Sequence, residues 1–96
     1  MTRRLNRRGW YVLVSIPSDD GAFCVDVFER PEGDFGYQHF RSDAEDQGAW
    51  TPVGSPHGGE PTPTAAAAAA VGKVSWLATH DAAKQSLEYW LATLAP

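Results

Sequence analysis

Near residue 60 the chain changes its periodicity, and no other feature constrains its fold as much. Before that point, short apolar and aromatic runs sit between turn signals. After it come six consecutive alanines, Ala65 to Ala70, and a stretch with helical spacing that ends in Trp90, Leu91 and Leu94. A period near two giving way to a period near 3.6 reads as strands followed by helix. The fold class implied is α+β and two-layered. A three- or four-stranded antiparallel β-meander is followed by one or two C-terminal helices packed on one face. So small a sheet needs such a cover to be stable.

With 96 residues, the chain is expected to form one domain. The reading divides it into a flexible basic arm at 1–8, sheet at 9–53, loop at 54–61 and helix at 62–94. Charge is unevenly placed. Arg3, Arg4, Arg7 and Arg8 lie in the first eight residues, and the remainder holds 4 basic and 12 acidic residues. The four arginines are therefore the candidate polyanion contacts, on a body that would repel a polyanion.

Cys24 is the only cysteine, so an intrachain disulfide is excluded. It is expected to be a small buried hydrophobe. The apolar run after the arginines stops at Pro17, too short for a membrane span and without a cleavage site behind it. A cytoplasmic protein that does not enter the membrane is expected.

Residues 10–16 (WYVLVSI), 22–30 (AFCVDVFER) and 35–41 (FGYQHFR) are rich in β-branched and aromatic types and read as strands. The Pro17–Gly21 and Pro31–Asp34 clusters between them read as turns. Ala49–Val53 is a short fourth strand that Pro52 confines to an edge. Thr62 then Pro63 forms a helix start, as N-cap and first helical residue. Gly72 weakens that helix and suggests close approach to the sheet. The helix is expected to run to Leu77 or Ala78. A second begins at Thr79-His80-Asp81, with Ala83, Leu87, Trp90, Leu91 and Leu94 on its apolar face. One long bent helix is the alternative.

Opposing Ile16 with Phe23 aligns Val14 with Val25 and Val12 with Val27 on one apolar face. In the second hairpin, opposing Arg30 with Phe35 sets Phe28 against Tyr37 and Asp26 against His39. The second face then carries Tyr11, Phe28 and Tyr37 in a row, continued by His39 and Arg41. These five are the candidate interaction surface. A one-residue slip would instead send Phe35, Tyr37 and His39 to the core face.

Chemistry is sparse. His39, His57, His80 and Cys24 show no metal-ligand spacing. No nucleophile motif or Gly-rich phosphate loop is present, and the acidic stretch Asp43, Glu45 and Asp46 reads as a solvated loop. No catalytic residue, metal or cofactor is expected.

The strings GWYVLVSIP, FERPEGDFGYQHFRSDAEDQGAWTPVG and AAAAAAVGKVSWL resemble a group of small bacterial proteins of uncharacterised function. In these a strand meander leads through a loop into an Ala-rich helix. The resemblance covers roughly residues 9–78 and implies no activity. The leading functional expectation is a non-catalytic protein-binding or assembly module, with a homodimer or another protein as partner. The alternative is a nucleic-acid-binding module, in which the arginines contact phosphates and the aromatic row stacks bases.

Overall fold

The β-branched run after Trp10 becomes an inner strand of a curled antiparallel sheet. The structure, a computed structural model, describes residues 4–43, 45 and 47–94. Arg3 and Asp46 therefore lie outside the described residues. The strands are β1 (Arg4–Leu5), β2 (Tyr11–Pro17), β3 (Phe23–Glu29), β4 (Phe35–Asp43), β5 (Ala49–Pro52) and β6 (His57–Glu60). They run β1-β2-β3-β4-β5 across the sheet, and β6 shares the outer edge of β4 with β5.

Among the described residues the sheet thus has six strands rather than three or four. Both additions come from segments expected to be arm and loop. Arg4 and Leu5, placed in an arm, pair with Val12 and Tyr11. The turn between them closes where Asn6 Oδ1 accepts the amides of Arg8 and Trp10 at 2.9 and 3.0 Å, and Gly9 takes φ 81°. A positive φ suits glycine, which has no Cβ to clash. The 54–61 loop contains β6, which lies along β4 because Gly36 lets the backbones touch. A Cβ at Gly36 would stand 1.8 Å from the carbonyl oxygen of His57.

Both hairpin registers differ from the expected ones. Ile16 opposes Val25 and Val14 opposes Val27, so the first hairpin is offset by two residues. A bulge at Leu13 then turns Val12 to the side of Phe28. In the second hairpin the slipped register is the one adopted. Glu29 opposes Phe35, Val27 opposes Tyr37 and Val25 opposes His39. Burial explains the choice. This register adds Tyr37 to Val25, Val27 and Ile16 in the core under the helices, where it is 8% exposed.

The helices are α1 (Pro63–Lys73), α2 (Trp76–Thr79) and α3 (Asp81–Leu94). Thr62 caps α1 as expected, its Oγ1 accepting the Ala65 amide at 3.0 Å. α1 stops at Lys73, earlier than its propensity suggests, because Val74 turns extended and buries its side chain. A Cβ at Gly72 would meet nothing within 4 Å, so this glycine marks no approach to the sheet. The cap of α3 comes from a distant segment. Asp19, in the β2–β3 turn, accepts the amides of Ala82 and Ala83 at 3.1 and 2.9 Å. Ala66, Ala67, Ala70, Leu77, Ala83 and Leu87 close the core over one sheet face. Trp90 and Leu91 are only half-buried, and Leu94 is exposed.

Candidate binding cleft on the open sheet face

The helices leave the other face of the sheet bare, and its curl makes that face concave. The cleft encloses about 710 Å³. Its floor comes from strict alternation along the strands: Ser15 of β2, Cys24 and Asp26 of β3, and Gln38 and Phe40 of β4. The Leu13 bulge adds Val12 to this floor. Trp50 and Pro52 of β5 form one wall, and β1 with its turn forms the other. A volume between about 300 and 1,000 Å³, apolar walls and a few convergent polar groups are the usual attributes of a small-molecule site.

The polar groups form one connected network. Ser15 donates its hydroxyl to Asp26 Oδ1 at 2.6 Å. Arg4 hydrogen-bonds to Ser15 Oγ and approaches Asp26 Oδ2 at 3.7 Å. Cys24 Sγ lies 3.7 Å from Asp26 Oδ1. Asp26 is 15% exposed, so its charge needs these partners. Burial, reinforced by the adjacent Asp26 carboxylate, pushes the Cys24 thiol up to about 12. The thiol is therefore held neutral near physiological pH.

Trp10 roofs one end of the cleft. Its ring packs on Phe28 with centroids 4.7 Å apart, and the Arg8 and Arg30 guanidinium groups stand 5.4 and 5.5 Å from its centroid. Arg30 is held by Asp34, whose Oδ2 also accepts the Gly59 amide at 2.7 Å. The wall formed by the β1–β2 turn is thereby tied through Arg30 and Asp34 to β6.

The five residues of the expected surface do not come together. Phe28 is on the cleft side but fully buried beneath Trp10. Tyr37 is in the core, opposite Val27, and stacks on His57 at 5.2 Å. His39 faces the helices, where Trp76 Nε1 donates to its Nε2 at 3.2 Å, so it does not pair with Asp26. Tyr11 opposes Glu29, and Arg41 is exposed opposite Phe23. The row fails because the slip moves Tyr37 and His39 through the sheet and the bulge separates Tyr11 from Phe28. Of the candidate polyanion contacts, Arg4, Arg7 and Arg8 line the cleft.

Sequence reasoning missed Ser15, Asp26, Gln38 and Phe40 as a set. Their period-two spacing was visible, but grouping them required the register. Among the described residues, no cluster of three or more His, Cys, Asp or Glu side chains is placed to hold a metal. No helix among them is long and apolar enough to cross a membrane. No protein-family model, curated protein or solved structure matches this chain.

Proposed function

We propose that the chain is a non-catalytic binding module whose ligand enters the cleft on the open sheet face. The observation that carries this reading is the concave apolar cavity of about 710 Å³, built around a satisfied polar network. Its chemistry favours holding over reacting. The Ser15 hydroxyl donates to a carboxylate rather than to a histidine, and burial keeps the Cys24 thiol protonated.

Titrating the isotope-labelled protein with small apolar fragments tests this by NMR. Shifts should gather on the amides of Val12, Ser15, Asp26, Gln38 and Phe40. Shifts confined to α3, or absent throughout, would refute the assignment.

The outer side of α3 supports a second reading, self-association. Tyr89 is 77% exposed, and with Trp90 it lines a shallow depression beside Val14. Sedimentation at micromolar concentration would show a dimer that Tyr89→Lys dissociates; a monomer at every concentration removes this reading. Base stacking finds less support. Phe28 is fully buried, and Trp10 is already packed against Phe28 and two guanidinium groups.

A further inference from the structure

We propose that the cleft takes an apolar molecule ending in a carboxylate, with the hydrocarbon on the sheet and the anionic head at the β1–β2 turn. This inference rests on the cleft being the binding site and adds the chemistry of its occupant.

Charge placement carries it. Among the described residues, Arg4, Arg7 and Arg8 line the cleft against a single acid, Asp26. The lining is therefore cationic on a chain whose net charge is −4. The placement is built rather than incidental. The Asn6 side chain and Gly9 fix the turn that carries Arg7 and Arg8, and β1 pairing holds Arg4 over the floor.

The site also contains its own example of the chemistry. Arg4 already engages a carboxylate, that of Asp26, with Ser15 between them. A planar guanidinium matches a carboxylate fork, and Arg7 and Arg8 add the same group to the cleft lining, Arg8 against the Trp10 ring. The apolar end is provided by Phe40, Trp50 and Pro52, on the side of the sheet away from β1. Gln38, a neutral amide, is 6% exposed and donates to the backbone carbonyl of His39 at 3.0 Å. A cationic ligand would meet three arginines against one acid, and a purely apolar one would gain nothing from that excess of positive charge.

Three eight-carbon probes test the head group: octanoate, octanol and octyltrimethylammonium, each titrated into the labelled full chain and followed by NMR. Octanoate should shift the amides of Val12, Asp26 and Phe40 and bind more tightly than the other two. Added salt should weaken it, because the arginines are exposed. The double variant Arg7→Gln/Arg8→Gln leaves the Arg4–Ser15–Asp26 network intact and should bind octanoate about fivefold more weakly, as expected for two exposed charge contacts. Octanol binding as tightly as octanoate, or a preference for octyltrimethylammonium, would overturn the anionic assignment while leaving the cleft as the site. Unchanged octanoate binding by the double variant would overturn it equally. Failure of all three probes to shift the cleft amides would overturn the cleft reading itself.

Discussion

Trp76 donates its indole N–H to Nε2 of His39 across 3.2 Å, joining α2 to the middle of β4. The bond needs an unprotonated Nε2. It links a residue from the helical half of the sequence to one from the strand half, at the seam between the two layers.

Stability should therefore fall in mild acid. Burial lowers the pKa of His39 below its ordinary value, so the unfolded chain takes up a proton first. The stabilising effect of the neutral ring is complete above about pH 6.5, the unfolded value, and is lost as pH falls through the folded one. Thermal melts at pH 7.5 and 5 should differ, and His39→Gln should shrink the difference. An equal difference in the variant would show that His39 is not responsible. Asp34 is held down to about 2, chiefly by its hydrogen bond from Arg30, so its stabilising effect persists in mild acid and is lost only in stronger acid.

Cys24 should resist alkylation in the folded protein. Cys24 is 9% exposed and burial pushes its thiol up to about 12, so at pH 8 almost none is thiolate. Mass spectrometry after iodoacetamide treatment should find it unmodified under native conditions and labelled in denaturant. Rapid labelling of the native protein would show that burial does not hold the Cys24 thiol neutral.

Two glycines should respond in opposite directions to alanine. Gly36→Ala places a methyl group against the His57 carbonyl, so β6 must separate from β4. The expected cost is about 3 kcal/mol, the upper end for overpacking, with loss of hydrogen-exchange protection along 57–60. Gly72→Ala meets open space within α1 and should stabilise by about 0.5–1 kcal/mol. Chemical denaturation measures both, and a neutral Gly36→Ala would contradict the observed β4–β6 contact.

Among helical anchors, Leu77 should matter more than Trp90. Leu77 is 1% exposed in the core, and Leu77→Ala should cost about 2–5 kcal/mol. Trp90 is half-buried at the margin, and Trp90→Ala should cost roughly half as much as a full core truncation. A Trp90 variant less stable than the Leu77 variant would place the centre of the core further along α3.

Local chemistry in the sequence determined the order and type of the main elements. Val12, Val14, Val25 and Val27 mark strands because β-branched residues suit a pleated surface. Thr62 and Pro63 mark the start of α1 because its first amides need a cap and its first residue needs none of its own. Cys24 was readable as buried, and the terminal arginines as the one concentration of positive charge. What tertiary structure alone decided was which strand residues share a face. A hairpin slip of one residue costs little locally, yet it sends every side chain to the opposite side of the sheet. Burial of Tyr37 beneath α1 and the bulge at Leu13 settled that choice through contacts between distant segments. The same contacts made the cleft, because Ser15, Asp26 and Phe40 meet only when β2, β3 and β4 pair in this register. They also placed Asp19 at the start of α3, where no local pattern could reveal the cap.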